Sequence, residues 1–311
     1  MHGFNRTGRL LTAAGIAAGL AGTTLAVAGP AQAAAAAPAR IAPAPGHAAA
    51  AGTAASPSTT APYAEIEDAT TGSELWGKSE NAEVPMGSIT KVMTAMVVIE
   101  AGGLNRLVTV PQGIVAYDAK YGASTAGLVP GQKLTTLQLL YALLVPSGCD
   151  AAYALAQAYG PGLDAFIAKM NMTAALLGLK HTRFSDFSGL PDPTEYSTLS
   201  TPSDLIQLGR DAMRLPLFAS IVQTSSYHVD AVTGEHPAFT WNTTNPLLGT
   251  YAGTVGLKTG STDAAGDCLL FEAVENGEDV IGVVLNDPSW AVVTKDAETL
   301  LNYGFANYPA A

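Results

Sequence analysis

Apolar positions follow two different periods along the chain, and the change of period predicts the order of the elements. From Ile89 they recur every three or four residues, which predicts a buried helix over about 88–100. Further helical patterns cover residues 137–144, 150–159, 163–177, the segment that follows Thr201-Pro202, and about 291–305. Apolar runs typical of strands cover residues 63–68, 74–76, 255–260, 268–274 and 280–286.

Strands at both ends of this region, with helices between them, predict an α+β fold. Thr71-Gly72 separates the first two strands, and Asn276-Gly277, a strong hairpin signal, separates the last two. Neighbouring strands should therefore pair antiparallel. We expect an antiparallel sheet covered by helices, formed by residues 62–100 and 205–311, and an all-helical lobe formed by residues 101–204.

The first 61 residues differ in composition from the rest of the chain. Arg6 and Arg9 precede an apolar run over 10–28, and Ala31-Gln32-Ala33 has the small-residue pattern of a signal cleavage site. We therefore expect residues 1–33 to be a signal peptide of an exported protein, with an uncleaved membrane anchor as the alternative. Residues 34–61 are almost wholly Ala, Pro, Gly, Ser and Thr, which predicts a disordered tether before a folded domain at 62–311. No later segment is apolar over the length that a membrane helix requires.

Charge and composition exclude several classes of function. The chain has 15 Lys plus Arg and 26 Asp plus Glu, a net charge of −11, and no basic run, so a nucleic-acid partner is disfavoured. Two cysteines and five histidines show no metal-ligand spacing, so we expect neither a metal ion nor another cofactor. An acidic protein that binds an anionic substrate needs a local cation to hold it.

One motif combines a nucleophile with a base. In Ser88-Ile89-Thr90-Lys91 the hydroxyl and the amine lie one helical turn apart, at the start of the first long helix. Serine is a weak nucleophile, which a neutral lysine can activate. The free N–H groups of the helix N-terminus could stabilise an oxyanion beside Ser88. Such a pair also occurs by chance, so this motif alone decides little.

Two further motifs strengthen this interpretation. Ser147-Gly148-Cys149 lies between two apolar helices, where it could cap a helix or relay a proton. Lys258-Thr259-Gly260-Ser261 lies on a predicted strand, where Lys258 and Thr259 could hold a carboxylate by charge and hydrogen bond. Gly260 would allow a ligand to approach the strand closely. The three motifs together, in this order, are those of the penicillin-recognising serine enzymes.

The flanking residues are similar to one family of these enzymes. Residues 85–95 resemble the active-site helix of the low-molecular-mass D-alanyl-D-alanine carboxypeptidases, peptidase family S11. Residues 166–191, which end in Gly189-Leu190-Pro191, and residues 242–268 continue the resemblance over nearly all of 62–306. The resemblance implies the β-lactamase/DD-peptidase fold, with the active site in the cleft between the sheet and the helical lobe.

The resemblance also implies an acyl-enzyme mechanism on stem peptides of peptidoglycan that end in D-Ala-D-Ala, with β-lactam antibiotics as further partners. Ser88 would be the nucleophile, Lys91 its base and Ser147 the proton relay to the leaving amine. Lys258, Thr259, Gly260 and Ser261 would bind substrate, and the backbone N–H groups of Ser88 and Ser261 would form the oxyanion hole.

Cys149 departs from the usual pattern, in which the middle motif ends in asparagine. Ser-Gly-Cys is the form carried by Streptomyces penicillin-binding DD-transpeptidases, and a thiol is a weaker hydrogen-bonding group than the amide that contacts substrate. The balance of hydrolysis and transpeptidation therefore stays open. We expect Cys149 and Cys268 to be buried, unpaired thiols, with a disulfide between them as the alternative that an exported protein permits.

Two alternatives remain at this stage. A class A-type β-lactamase needs a carboxylate to activate the deacylating water, and Glu195 lies between the second and third motifs as that role requires. Leu199 stands where such enzymes have an asparagine. A catalytically silent module that binds the cell wall is the second alternative, and a missing penicillin adduct would favour it.

Overall fold

The structure is a computed structural model that describes residues 55–309. The strands are β1 (Tyr63–Asp68), β2 (Glu74–Lys78), β3 (Leu107–Thr109), β4 (Lys133–Thr135), β5 (Ser226–Val229), β6 (Phe239–Asn242), β7 (Thr254–Thr262), β8 (Gly266–Glu275) and β9 (Glu278–Asp287). The helices are α1 (Lys91–Ala101), α2 (Gly113–Tyr121), α3 (Thr136–Leu144), α4 (Cys149–Tyr159), α5 (Leu163–Leu177), α6 (Pro202–Met213), α7 (Pro216–Val222) and α8 (Trp290–Ala306). A 3₁₀ turn, Gly87–Thr90, leads directly into α1.

The main sheet joins the two ends of the described chain. Its strand order is β2-β1-β9-β8-β7, and every neighbouring pair is antiparallel. At the tight turn between β8 and β9, Asn276 and Gly277 both have positive φ, 52° and 89°. A two-residue hairpin turn of this kind requires that conformation, which asparagine and glycine adopt most easily. The predicted α+β fold is confirmed.

The sheet separates two apolar cores. Side chains of a strand alternate between its faces, so Val280 and Val284 of β9 pack with Leu300 and other residues of α8. Ile281 and Val283 belong to the larger core on the opposite face. Helix α1 lies within that larger core, where its first two turns are buried on every side. A helix surrounded in this way positions its own N-terminus firmly between the sheet and the other helices.

The lobe at residues 101–204 was predicted to be all-helical, and this prediction is wrong. Strands β3 and β4 form a short antiparallel ribbon in it. A second ribbon, β5 with β6, follows α7. Strands of three or four residues are too short to show a period in the sequence. Helix α2 buries only Ile114 and Tyr117, so its amphipathic pattern is weak.

Among the helices of the described chain, none is both long and apolar enough to cross a membrane.

The predicted signal peptide and most of the predicted tether lie outside the described residues. The last three residues of the predicted tether, 59–61, are bound to the folded domain by hydrogen bonds. The carboxylate of Asp296 accepts hydrogen bonds from the backbone N–H groups of Thr60 (2.6 Å) and Ala61 (2.8 Å). The amine of Lys78 donates to the carbonyl groups of Thr59 (3.0 Å) and Ala61 (2.7 Å). The chain is therefore ordered from before the predicted boundary at residue 62.

Strand β1 carries a buried carboxyl group on the face that packs against α6. Glu65 is 3% exposed and accepts a hydrogen bond of 2.7 Å from the Ser203 hydroxyl. Burial, together with the nearby carboxylates of Glu67, Glu74 and Glu80, raises the pKa of Glu65 to about 8, although the hydrogen bond from Ser203 acts in the opposite direction. The folded protein thus holds this proton well above the pH at which an unfolded chain loses it.

Replacing Glu65 by glutamine should stabilise the fold at neutral and alkaline pH. The wild-type carboxyl contributes its full stability below about pH 4.5 and loses it as the pH rises to about 8, because only the folded state retains the proton. Glu65→Gln removes this loss and should raise the free energy of unfolding by about 1–3 kcal/mol at pH 8. Urea unfolding at pH 5 and pH 8 measures the difference. Glu100→Gln, at an exposed position near the end of α1, is the matched control, because Glu100 is not among the carboxylates that raise the pKa of Glu65; an equal gain in both variants would contradict the assignment.

Candidate active site

The first motif forms the start of α1. Ser88 lies in the 3₁₀ turn and Lys91 is the first residue of the α-helix, so their side chains project from one face, one turn apart. A hydrogen bond of 2.7 Å joins the Lys91 amine to the Ser88 hydroxyl. Ser88 is half-buried and Lys91 is completely buried. The amine is thus held against the hydroxyl that it could deprotonate.

Two further groups hold the Lys91 amine. It lies 3.2 Å from the Cys149 thiol and donates to the carbonyl of Ser188 at 3.0 Å. Within residues 55–309, no carboxylate lies within 4 Å of this amine. The acceptors around the Lys91 amine are therefore a hydroxyl, a thiol and a backbone carbonyl rather than a carboxylate.

The second motif connects α3 to α4. Ser147 has a positive φ of 65°, which costs a non-glycine residue about 1–2 kcal/mol. Ser124 holds it there, because the Ser124 hydroxyl donates to the Ser147 carbonyl at 2.8 Å and the Cys149 N–H donates to the Ser124 carbonyl at 2.8 Å. Both cysteines of the chain, Cys149 and Cys268, are buried and unpaired, as predicted.

Asp150 fixes the chain segment that lies beside this motif. Its buried carboxylate accepts hydrogen bonds from the N–H groups of Ala126 and Leu128 at 2.9 Å. Burial raises the pKa of Asp150, while these N–H donors and the Lys91 charge act in the opposite direction. The carboxylate thereby anchors residues 124–128 next to Ser147 and Cys149.

The third motif lies on β7, at the edge of the sheet that faces α1. Lys258 is 1% exposed, and its amine donates to the carbonyl (3.0 Å) and the hydroxyl (3.1 Å) of Thr259. The Thr259 hydroxyl also shares a hydrogen bond of 2.7 Å with that of Thr244. Burial, and then the charge of Lys91, hold the pKa of Lys258 well below its usual range. An incoming carboxylate would restore the ammonium form.

Gly260 allows β7 to pack directly on the turn that carries Ser88. A Cβ atom at Gly260 would overlap the carbonyl oxygen of Met86 and lie 3.1 Å from the Ser88 nitrogen. A Cβ atom at Gly87 would lie 2.7 Å from the nitrogen of Ser261. The sequence analysis expected this glycine to allow close approach of a ligand. That explanation is incomplete, because Gly260 also allows close packing of the protein's own backbone. It also brings the N–H groups of Ser88 and Ser261 to one junction.

All predicted site residues lie in three segments that meet at this junction: Ser88 and Lys91, Ser147 and Cys149, and Lys258, Thr259, Gly260 and Ser261. Sequence reasoning missed the residues that support them, namely Ser124, Asp150, Asp186, Ser188 and Thr244. Their only signal was the family resemblance over residues 166–191 and 242–268, which include Asp186, Ser188 and Thr244. Within residues 55–309, no hydrogen bond connects Glu195 to Ser88, Lys91 or Ser147.

A hydroxyl hydrogen-bonded to a buried amine, with a second buried lysine on the facing strand, is equipped for acyl transfer to serine. Together with the antiparallel sheet and the helical lobe, it defines an active-site serine enzyme of the penicillin-recognising class. Comparison with known proteins narrows this class. A family model for the D-alanyl-D-alanine carboxypeptidases, peptidase family S11, matches residues 50–289, so the chain belongs to that family.

Individual relatives agree with this assignment. A D-alanyl-D-alanine carboxypeptidase of Streptomyces sp. strain K15 is 41% identical over 247 residues, which are 76% of this chain and 84% of the relative. The D-alanyl-D-alanine carboxypeptidase DacB2 of Mycobacterium tuberculosis is 33% identical over 264 residues, 84% of this chain and 88% of the relative. The crystal structure of the Streptomyces K15 DD-transpeptidase superimposes with a TM-score of 0.77 at 39% identity, covering 81% of this chain and 100% of that one.

Substituting Gly260 should disrupt the site more than the fold. In Gly260→Ala the added methyl group meets the backbone of Met86, which has no flexible end to move aside, so β7 must shift away from Ser88. We expect covalent labelling by a fluorescent penicillin to slow by about 10–100-fold, since shifts of about 1 Å have effects of this size. In the control Gly209→Ala the methyl group meets only the ends of the Ile281 and Leu270 side chains. Equal labelling rates in the two variants would contradict the explanation.

Proposed function

We propose that this protein is a serine-type D-Ala-D-Ala carboxypeptidase, with transpeptidase capacity, that acts on peptidoglycan stem peptides through an acyl-enzyme on Ser88. The observation that carries the proposal is the hydrogen bond of 2.7 Å between the Ser88 hydroxyl and the completely buried Lys91 amine. Membership of the D-alanyl-D-alanine carboxypeptidase family supports the same reaction.

Acylation begins with proton transfer from Ser88 to the neutral amine of Lys91. The Ser88 oxygen attacks the carbonyl carbon of the penultimate D-Ala and forms a tetrahedral intermediate. The backbone N–H groups of Ser88 and Ser261 stabilise its oxyanion, and such donors contribute about 3–4 kcal/mol each. Ser147 then gives its hydroxyl proton to the leaving nitrogen and takes in its place the proton that Lys91 accepted from Ser88. The C–N bond breaks, terminal D-Ala departs with a free amine, Lys91 is neutral again, and the ester on Ser88 remains.

The terminal carboxylate of the substrate is held by β7. Lys258 supplies the charge and Thr259 a hydroxyl, which are already hydrogen-bonded to each other. Because the wider protein is acidic, this buried amine is the local cation that an anionic peptide end requires. The carboxylate in turn compensates for the cost of holding Lys258 in its charged form away from water.

The acyl-enzyme is resolved by water or by the amine of a second peptide. Cys149 lies beside Lys91, where many enzymes of this class carry an asparagine amide. The thiol leaves this part of the cleft less polar and less able to orient substrate by hydrogen bonds. Cys149 is thus the residue through which the balance of hydrolysis and transfer would be set.

The location of the substrate fits the predicted export of the protein. Peptidoglycan lies outside the cytoplasmic membrane, and the sequence before residue 34 has the pattern of a signal peptide. We propose that the enzyme acts at the cell wall. β-Lactam antibiotics would occupy the same cleft, with their carboxylate on Lys258 and Thr259 and their ring carbonyl at Ser88.

Benzylpenicillin should form a covalent adduct with the wild-type protein and none with Ser88→Ala. The variant lacks only the oxygen that forms the ester, and its fold should be unchanged, as circular dichroism would show. Intact-mass spectrometry over a time course measures the adduct. A labelled Ser88→Ala protein would show that another residue is the nucleophile.

The same time course separates the remaining alternatives. A long-lived adduct supports the proposed acyltransferase, whereas rapid loss of the adduct with consumption of penicillin would favour a β-lactamase. Absence of an adduct on folded wild-type protein would leave the silent wall-binding module. Release of D-Ala with and without an added amine then distinguishes hydrolysis from transfer.

Lys258→Ala should weaken acylation mainly through substrate affinity. The variant loses the cation for the terminal carboxylate, so KM for a D-Ala-D-Ala peptide should rise by about 10-fold or more. A substrate whose C-terminus is amidated carries no such charge and should lose much less. Steady-state kinetics with both substrates checks this, and an equal loss on both would speak against carboxylate binding by Lys258.

A further inference from the structure

A tight turn at residues 186–190 lies against the catalytic end of α1. Its Ser188 carbonyl accepts the hydrogen bond from the Lys91 amine at 3.0 Å. Its Phe187 carbonyl accepts one of 2.6 Å from the hydroxyl of Thr94, one turn further along α1. Gly189 packs so closely that an added Cβ atom would overlap the carbonyl oxygen of Gly87, next to Ser88. The turn thus contacts both ends of the Ser88–Lys91 pair.

The conformation of this turn depends on one buried carboxylate. Asp186 is 1% exposed, and its Oδ1 accepts hydrogen bonds from the N–H groups of Ser188 (2.6 Å), Gly189 (2.5 Å) and Leu190 (3.0 Å). The Ser188 hydroxyl also donates to Oδ1, at 2.9 Å. Three consecutive N–H groups directed at one oxygen bring the Ser188 carbonyl to the opposite side of the turn, where Lys91 lies.

The second oxygen of Asp186 is held by another element. The phenol of Tyr117, on α2, donates to Oδ2 at 2.5 Å and lies 2.6 Å from the Ser188 hydroxyl. Tyr117 is itself buried and stacks on Phe187, with ring centroids 5.2 Å apart. A carboxylate that accepts several charge-assisted hydrogen bonds is held more firmly than a neutral side chain in the same place.

We propose that Asp186 is a positioning residue for acyl transfer, which fixes the 186–190 turn so that the Ser188 carbonyl holds the Lys91 amine against Ser88. The inference rests on the proposed function, since it assumes that Lys91 is the base for Ser88. Within residues 55–309, Asp186 makes no hydrogen bond to Ser88 or Lys91. Its effect on the Ser88–Lys91 pair passes through the backbone of the turn, above all through the Ser188 carbonyl that holds Lys91, so its loss should change the rate of acylation more than the binding that precedes it.

The test separates rate from binding in three variants. Covalent labelling is followed over a range of benzylpenicillin concentrations, which gives a limiting acylation rate and a half-saturating concentration. Asp186→Ala removes every acceptor and should lower the limiting rate by about 10–100-fold, with less than about threefold change in the half-saturating concentration. Asp186→Asn keeps an oxygen for the three N–H groups and should recover most of the rate. Tyr117→Phe removes the donor to Oδ2 and the contact of the phenol with the Ser188 hydroxyl, and it should lower the rate by about 3–10-fold.

Asp204→Ala is the matched control. Asp204 is another buried carboxylate, 8% exposed, and it binds the His181 N–H and the Thr182 hydroxyl at the start of α6. Its loss should lower thermal stability and leave the limiting rate of the folded protein unchanged. A similar fall in rate in Asp204→Ala would reduce Asp186 to a structural role and overturn the inference.

The remaining outcomes are also decisive. An unchanged limiting rate in folded Asp186→Ala overturns the inference while wild-type labelling still supports the proposed function. Absence of labelling in the wild type contradicts the proposed function itself. Should Asp186→Ala not fold, Tyr117→Phe decides: a several-fold slower limiting rate supports the inference, and an unchanged rate overturns it.

Discussion

Two buried lysine amines, neither of which has a carboxylate partner in the described part of the chain, set the main physical constraint on this structure. An unpaired ammonium group away from water costs several kcal/mol, so each amine must be bound by neutral acceptors in good geometry. Lys91 has a hydroxyl, a thiol and a carbonyl, and Lys258 has the carbonyl and hydroxyl of Thr259. Within residues 55–309, no carboxylate pairs with either amine, and the carboxylate of the proposed peptide or β-lactam ligand would supply that negative charge. An acidic protein thus keeps two buried amines where an anionic ligand would bind.

Two buried acids near these amines, Asp150 and Asp186, accept hydrogen bonds from backbone N–H groups instead. Asp150 accepts the N–H groups of Ala126 and Leu128, and Asp186 those of the turn that ends at Leu190. Each acid orients a loop whose own atoms, rather than the carboxylate, surround the site. Neither carboxylate forms a salt bridge with Lys91. The arrangement gains the rigidity of charged hydrogen bonds while both carboxylates stay out of direct contact with the Lys91 amine.

The sequence predicted the long elements and the site residues for separate reasons. Helix α5 and the strands β7, β8 and β9 were found because their apolar periods extend over many residues, and Asn276-Gly277 marked the hairpin between two of them. Ser88, Lys91 and Lys258 were found because their order matches a known trio of motifs. The supporting residues were not, because Asp186 and Ser188 act through backbone groups that only the folded turn brings together. Short ribbons such as β5 with β6 are decided by tertiary packing, which no local pattern encodes.

The attachment of residues 59–61 has a mechanical consequence. Lys78 belongs to β2, at one edge of the five-stranded sheet, whereas Lys258 belongs to β7 at the other. Four strand spacings, about 19 Å, separate the two edges. When a force pulls on the chain before Thr59, the hydrogen bonds to Asp296 and Lys78 transmit it to the folded domain. There it is spread along the hydrogen bonds between β1 and β9. The protein could thus be held under tension by its N-terminal side while the geometry around Ser88 stays unstrained.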